Sequence, residues 1–278
     1  MKLPALPALA AVAVLAGCRT DDVESAITDL SNPKSRIRLR AAYALVRHDS
    51  SAVEPLIQCA STGSDSLQYI SAQLLGEIGD PRARQVLKVL AGDANEHVRR
   101  AAVVALGSMA DRETVEYLTV TLSQDTLPDL RAAAAQSLGE SGDTLAVPAL
   151  VHALADTVAS VRKQAVVALH RLWTPLAQDA LVRVLVQDSE EIVRFVAAQS
   201  LGQRRAVPAR DALRGALRDS SVWVRAEAAR SLGMLGDATA IEDLTLLLER
   251  RGDGPDHDAA REALHKLNSP NVAATEAP

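Results

Sequence analysis

Residues 125–156, DTLPDLRAAAAQSLGESGDTLAVPALVHALAD, predict two helices, neither of which can bury its apolar face alone. The apolar residues of the first helix share one face at helical spacing: Leu130, Ala134, Ala135 and Leu138. Gly139 and Gly142 are predicted to end it. The apolar face of the second helix consists of Val147, Leu150, Val151 and Leu154. A unit of this kind needs a neighbour on each side, which is typical of stacked repeats.

The same register returns along almost the whole chain, every 30 to 32 residues. An Arg, or Gln in one copy, marks each first helix: Arg38, Gln68, Arg99, Arg131, Arg162, Arg194 and Arg225. Seven residues later comes a Leu: Leu45, Leu75, Leu106, Leu138, Leu169, Leu201 and Leu232. Seven copies with no strand-like alternation predict an all-α fold of about seven helix pairs.

An Asp precedes the marker Arg by six residues in five copies, so the two residue types form paired columns. The members are Asp93 and Arg99, Asp125 and Arg131, Asp156 and Arg162, Asp188 and Arg194, and Asp219 and Arg225. A binding site need not recur in every copy, whereas a structural contact between repeats would. We therefore predict a ladder in which each Asp caps the next first helix and accepts hydrogen bonds from an Arg of the same or the adjoining repeat.

The recurring pattern V-R-x-x-A-A-x-A-L-G-x-x-G-D followed by A-V-P-x-L is visible in the fourth and seventh copies. It resembles the short HEAT-like repeats first grouped with phycobilin lyases. The resemblance covers residues 22–267 and implies a right-handed α-α superhelix with half-repeat caps. It says little about function, because a fold does not determine what its sites do.

The first residues resemble a bacterial export signal that ends in a lipobox. Residues 1–17 carry Lys2 and an apolar run, and the run ends in Leu15-Ala16-Gly17-Cys18. This pattern predicts cleavage before Cys18 and a lipid on its thiol, with residues 18–21 as a short tether; an ordinary signal peptide is the alternative. The predicted location is the cell envelope, and the absence of an Asp at Arg19 favours an outer membrane.

Residues 22–267 are predicted to form one repeat domain, and residues 268–278 a disordered tail. A second helix without a first is expected at residues 23–30, and an eighth first helix at residues 255–267. The formal net charge of −5 and the distribution of the arginines, one per repeat, disfavour nucleic acid as a partner. The protein is expected to be a monomer.

Catalytic and metal-binding motifs are not found in the sequence. The six histidines show no H-E-x-x-H spacing, and Cys59, the thiol that the lipid would leave free, is expected to be a small core residue. A nucleophilic Cys59 would need a nearby base, and His48 is the candidate close in sequence. The sequence therefore predicts no cofactor, no metal site and no enzyme activity.

The second helices carry a mostly acidic position two residues before their leading Leu. Its acidic members are Glu54, Glu116, Asp179, Asp211 and Glu242. Basic residues stand nearby in sequence: Arg84, Lys88, Arg183, Arg210 and Arg214. We interpret this surface as a mixed-charge site for a protein partner, the alternative being a solvated helix face. Trp173, in a turn that has lost its glycines, is either a plug between repeats or an anchor for that partner.

Three functions fit this sequence. The first is a lipid-anchored scaffold or adaptor that binds another protein without catalysis. The second is a phycobilin-lyase-like enzyme or another maturation enzyme, and the third is a structural spacer of the envelope.

Overall fold

The computed structural model describes residues 22–109, 111–250 and 253–269, which form helices joined by short turns with no β-strand. The α-helices of these ranges are α1 Val23–Asp29, α2 Ser35–His48, α3 Val53–Thr62, α4 Asp65–Ile78, α5 Arg84–Leu90, α6 Glu96–Met109, α7 Arg112–Gln124, α8 Pro128–Ser141, α9 Val147–Ala153, α10 Ala159–Arg171, α11 Pro175–Gln187, α12 Glu191–Gln203, α13 Arg210–Ala216, α14 Val222–Leu235, α15 Ile241–Leu248 and α16 Pro255–Asn268. The all-α prediction is confirmed. None of these helices is both long and apolar enough to cross a bilayer.

First and second helices alternate along the chain. Even-numbered helices from α2 to α16 are first helices, odd-numbered helices from α3 to α15 are second helices, and α1 is a second helix without a first. The chain divides into two compact units: the first ends at Ser141, and the second begins at Gly142. The unpaired helix at each end lies where the repeat count predicts it.

The predicted signal, Cys18 with its predicted lipid and the predicted tether lie outside the described residues, as does the predicted tail from residue 270 onward. Asn268, which was predicted to begin the tail, is the last residue of α16.

The core of both units consists of the two Leu columns that define the repeat. All the first-helix leucines are fully buried: Leu45, Leu75, Leu106, Leu138, Leu169, Leu201 and Leu232. So are the leading leucines of the second helices: Leu56, Leu87, Leu118, Leu150, Leu181, Leu213 and Leu244. Fully burying one Leu side chain is worth about 1.5 to 3 kcal/mol, so these columns supply much of the free energy of folding.

The glycine that follows the first-helix Leu allows neighbouring first helices to approach closely. A Cβ built on Gly76 would lie 2.7 Å from the Cα of Ala105, and one on Gly202 would lie 2.9 Å from the Cα of Ser231. Gly139 occupies the same position and lies inside α8, so the prediction that it ends the first helix is wrong. The glycine three residues later does end helices: Gly142 has a φ of 76°.

Arg162 and Arg194 each bind a backbone carbonyl of their own repeat and a carboxylate of the following repeat. Arg162 Nη1 donates to the carbonyl of Asp156 at 2.9 Å, and its other edge forms two hydrogen bonds with the Asp188 carboxylate of the next repeat at 2.8 and 2.9 Å. Arg194 makes the same pair of contacts with the Asp188 carbonyl, at 2.8 Å, and with the Asp219 carboxylate, at 2.7 and 2.8 Å. The Arg side chain therefore ties its own turn to the following repeat.

Two details differ from the predicted ladder. The ladder Asp does not cap the helix itself, because its carboxylate accepts from the backbone N–H two residues later, as Asp93 does from Asn95 at 2.7 Å. Arg99 has Asp129 as its carboxylate neighbour, at 3.5 Å, and it also donates to the Asp93 carbonyl. Arg225 donates to Asp256 Oδ2 at 2.7 Å. The sequence spacing predicts which Arg takes part in the ladder, but the acidic residue that pairs with it depends on the position of the next repeat.

Arg131 and Asp125 share a contact within their own repeat. Arg131 Nη1 donates to the carbonyl of Asp125 at 2.9 Å, and the Asp125 carboxylate accepts from the N–H of Leu127 at 2.8 Å. The contact that the ladder predicts within one repeat is therefore present here as well.

Candidate binding surface on the second helices

The acidic position of the second helices faces solvent. We call its five members the acidic column, and all of them are exposed: Glu54 on α3, Glu116 on α7, Asp179 on α11, Asp211 on α13 and Glu242 on α15. The position faces outward because it precedes a fully buried Leu by two residues, which turns it about 200° away from the core-facing side of the helix.

In the first unit both members of the acidic column have basic neighbours. Glu54 Oε1 lies 3.5 Å from Nη1 of Arg82, and Glu116 Oε1 lies 2.9 Å from Nε of Arg112 one turn earlier on the same helix. Exposed pairs of this kind contribute about 0 to 1 kcal/mol and exchange easily with another charged group. A partner can therefore replace them at little cost.

In the second unit no member of the column forms an ion pair among the described residues. Asp211 nevertheless lies near a base, because its charge adds to the effect of Asp243 in raising the pKa of Arg214. Three exposed carboxylates on three successive second helices can therefore pair with a cationic segment.

Four of the five basic residues that were expected to mix with the column contact other carboxylates, while Arg183 is exposed on the same helix as Asp179. In the first unit, Arg84 and Lys88 each lie 2.7 Å from an oxygen of Glu113, Arg84 also contacts Asp111, and Lys88 lies 5.3 Å from the ring centroid of Tyr117. These contacts join α5 to the following second helix, α7.

An equivalent arrangement joins α13 to α15 in the second unit. Nε of Arg214 lies 2.6 Å and Nη2 of Arg218 lies 2.9 Å from the Asp243 carboxylate, and Arg210 lies 3.9 Å from Asp237. Sequence reasoning missed Glu113 and Asp243 as partners. The signal that could have found them is a base at the start of one second helix and an acid at the start of the next.

A cleft of about 480 Å³ opens in the second unit beside the ladder. Its lining includes Arg183, Val184 and Gln187 of α11 together with the Arg162 and Asp188 pair. The volume is within the range of ligand and side-chain pockets. Because α11 also carries Asp179, the cleft and one member of the acidic column lie on the same helix.

Trp173 is half-buried in the turn between α10 and α11. Its ring centroid lies 5.7 Å from Cζ of Arg204, whose Nε donates to the carbonyl of His170 at 3.0 Å. Burial, together with the charge of Arg204, lowers the pKa of His170, so the imidazole is neutral at pH 7. Thr174 caps α11 by accepting from the N–H of Ala177 at 3.2 Å.

Replacing Trp173 with alanine is expected to lower the free energy of unfolding by about 1 to 2 kcal/mol, through lost packing and a lost cation–π contact. Urea unfolding monitored by circular dichroism measures this change. The matched control is Trp223→Ala, whose side chain is 53% exposed and whose loss should change stability by less than about 0.5 kcal/mol. Unchanged stability of Trp173→Ala with lost partner capture would instead identify Trp173 as a binding anchor.

Cys59 lies buried in α3, and burial raises the pKa of its thiol. A protonated thiol is a weak nucleophile at neutral pH, which favours a packing role for this residue. The described residues also contain no group of three or more His, Cys, Asp and Glu side chains close enough together to hold a metal ion.

A family model of HEAT repeats matches residues 53–126, 115–202 and 179–268, which together span more than half of the chain. The chain belongs to the HEAT repeat family. The resemblance inferred from the sequence pattern is therefore confirmed at the level of the repeat.

Two curated proteins are similar to the chain in sequence. The 26S proteasome regulatory subunit RPN2 of Eremothecium gossypii is 30% identical over 173 residues, which are 58% of this chain and only 18% of that subunit. The deoxyhypusine hydroxylase of Phaeosphaeria nodorum is 28% identical over 238 residues, which are 80% of this chain and 71% of the hydroxylase. The chain thus spans less than a fifth of the first relative and about seven tenths of the second.

Two solved structures are similar to this chain to different degrees. YibA of E. coli matches with a TM-score of 0.60 and 22% identity, covering 96% of this chain and 98% of YibA. The complex of CpcE and CpcF of phycocyanin lyase from Nostoc matches with a TM-score of 0.45 and 21% identity, covering 91% of this chain and 97% of that one. The family match and the likeness to YibA confirm the predicted fold class, an α-α superhelix of helix-pair repeats.

The prediction that the chain is not an enzyme is wrong. The deoxyhypusine hydroxylase that aligns with four fifths of the chain is an enzyme, so the chain is similar in sequence to a catalytic protein. The sequence could not reveal this, because the repeat pattern records helix packing and says nothing of chemistry carried outside it.

Proposed function

We propose that this protein is a maturation factor that binds a basic segment of a substrate protein along its second helices and takes part in the covalent modification of that substrate. The observation that carries the binding step is the acidic column of the second unit: Asp179, Asp211 and Glu242 are exposed and form no ion pair, while the nearby bases Arg214 and Arg218 are bound to Asp243. Opposite charge speeds encounter and sets the register of a bound segment.

The modification step is supported by the relative named as a hydroxylase, which aligns over 80% of the chain. In this proposal the described residues hold and orient the substrate. The 480 Å³ cleft on α11 accepts a side chain next to the acidic column, within reach of Arg183. Positioning of this kind lowers the barrier of the following step by fixing the reacting groups in place.

Binding is tested with a triple variant of the second unit, Asp179→Asn, Asp211→Asn and Glu242→Gln. We expect crosslinked capture of the substrate in cells to fall at least about fivefold, because several charge pairs are lost together. The control variant removes three exposed acids elsewhere in the same unit: Glu190→Gln, Glu191→Gln and Glu249→Gln. Equal capture by both variants would show that the column does not bind the substrate.

A bilin distinguishes the lyase-like form of this function from other maturation reactions. Purified protein is mixed with a bilin, and the visible absorption spectrum is compared with that of the free pigment. A shift would favour attachment of a pigment, as the name of the phycocyanin lyase structure suggests for that protein. An unchanged spectrum would favour modification of an amino-acid side chain.

The place of action in this proposal is the cell envelope, with the protein held by a lipid on Cys18. Support comes from Leu15-Ala16-Gly17-Cys18 at the end of an apolar run. The Cys18→Ala variant is expected to move from the membrane fraction to the soluble fraction of fractionated cells, since an acyl anchor adds about 0.8 kcal/mol of membrane affinity per buried methylene. Retention equal to that of the wild type would count decisively against lipidation.

A further inference from the structure

A groove of about 870 Å³ opens in the first unit between first helices α2 and α4. Most of its apolar wall comes from these two helices: Leu39 and Ala42 on one side, Leu67 and Ile70 on the other. The other adjacent first helices of this unit, α4 with α6 and α6 with α8, pack much more closely. The opening is thus a local feature of the first two repeats.

The groove exists because two positions that hold small residues in the neighbouring repeats hold large residues here. Elsewhere in this unit the close approach joins a glycine to a small residue, Gly76 to Ala105 and Gly107 to Ser137. At the equivalent positions α2 has Val46 and α4 has Leu74, which is buried. Two branched side chains need several ångströms more room than a glycine and an alanine, so the helices stand apart.

The ladder is interrupted at the same place. Arg38 donates to the carbonyls of Asn32 and Pro33 at 2.8 and 3.0 Å, as other ladder arginines do with their own turns. However, the next repeat has Thr62 where later repeats have the ladder Asp, and no carboxylate of the described residues pairs with Arg38. One edge of its guanidinium therefore lines the groove without the anion that Arg162 and Arg194 have.

The electrostatics of the groove favour an anion. Residues 34–48 contain Lys34, Arg36, Arg38, Arg40 and Arg47 and no Asp or Glu, in a chain whose net charge is −5. Arg36 lines the groove together with Arg38. These two arginines outnumber the acid on the opposite wall, Asp65, which accepts a hydrogen bond from Asn95 Nδ2 at 2.8 Å.

We propose that this groove binds a small amphipathic carboxylate, with its apolar chain between α2 and α4 and its carboxylate on Arg38. The carboxylate takes the place of the missing ladder Asp, and a guanidinium pairs with such a group through two parallel hydrogen bonds. A largely apolar wall with one charged residue to fix orientation is the usual composition of a small-molecule site. This inference is independent of the maturation role and of the lipid on Cys18.

Isothermal titration of the purified protein with myristate tests the proposal, and 1-tetradecanol is the uncharged comparison. Myristate is expected to bind, and Arg38→Gln is expected to weaken it at least about tenfold, because a charge-assisted hydrogen bond is lost. The alcohol should bind more weakly than myristate and be insensitive to that substitution. The control Arg100→Gln removes an exposed arginine outside the groove and should leave both affinities unchanged.

A second variant guards against misfolding of Arg38→Gln, whose backbone contacts contribute to the turn. Ala42→Leu fills the groove from a buried position of α2 and should abolish myristate binding, and circular dichroism at the temperature of the titration checks that this variant is folded. The proposal is overturned if the wild type does not bind myristate, or if either variant binds it as the wild type does. Binding of acidic peptides without myristate binding would assign the groove to a protein partner instead.

Discussion

Arg162→Ala is expected to lower the free energy of unfolding by about 1 to 3 kcal/mol, because it leaves a buried carboxylate without its cation. Asp188 loses both hydrogen bonds from the guanidinium, and the carbonyl of Asp156 loses its donor. The side chains of the pair are only 11% and 5% exposed, so water cannot replace the lost contacts.

Urea unfolding at pH 7 measures this loss, with Arg112→Ala as the matched control. The Arg112 and Glu116 side chains are 84% and 64% exposed, so breaking that pair should change stability by less than about 0.5 kcal/mol. If the two variants unfolded at the same urea concentration, the ladder would not contribute to stability.

The ladder also predicts how stability depends on acid. Burial by itself would raise the pKa of Asp188, but hydrogen bonds from Arg162 and from the N–H of Glu190 outweigh it and hold the pKa below its usual value. A lowered folded-state pKa gives stability that is present above about pH 4 and lost as the pH falls through the folded value. Arg162→Ala should therefore flatten the loss of stability in this acidic range.

Gly202→Ala is expected to destabilise the second unit by about 1 to 3 kcal/mol through overpacking. The added methyl group would lie 2.9 Å from the Cα of Ser231, which is backbone and cannot rotate away. Helices α12 and α14 would have to separate, and the hydrogen bond from Ser231 Oγ to the carbonyl of Ala198, 3.0 Å long, would be strained.

The matched control for this variant is Gly215→Ala. Gly215 also lies inside a helix, α13, but a Cβ there would meet nothing within 4 Å. Alanine should therefore stabilise the protein by about 0.5 to 1 kcal/mol, because it reduces the entropy of the unfolded chain and favours the helix. Equal effects of the two substitutions would contradict the assignment of Gly202 to helix contact.

Much of the fold could be predicted from periodicity. Each Leu of the two columns must face the core because its neighbours at helical spacing do, so burial of Leu106 or Leu181 follows from local pattern alone. The half-repeats at both ends were predictable for the same reason. The mistaken role of Gly139 arose because a glycine near a helix end serves a turn or a close contact equally well in sequence.

Less of the candidate site could be predicted, because it depends on how successive repeats meet. Arg84 and Glu113 are 29 residues apart, and their contact is set by the rotation between α5 and α7. Likewise, the effect of Val46 on the groove becomes apparent only from the spacing between α2 and α4. The similarity to an enzyme could not be inferred from the repeat pattern, because that pattern reflects helix packing.

The most direct test of a maturation role is the intact mass of the substrate protein that crosslinks to the acidic column. The substrate is purified from cells that contain this protein and from cells that lack it, and the two masses are compared. We predict a defined mass difference that maps to one side chain and disappears with the triple variant of Asp179, Asp211 and Glu242. Identical masses in the two kinds of cell would contradict a role in maturation.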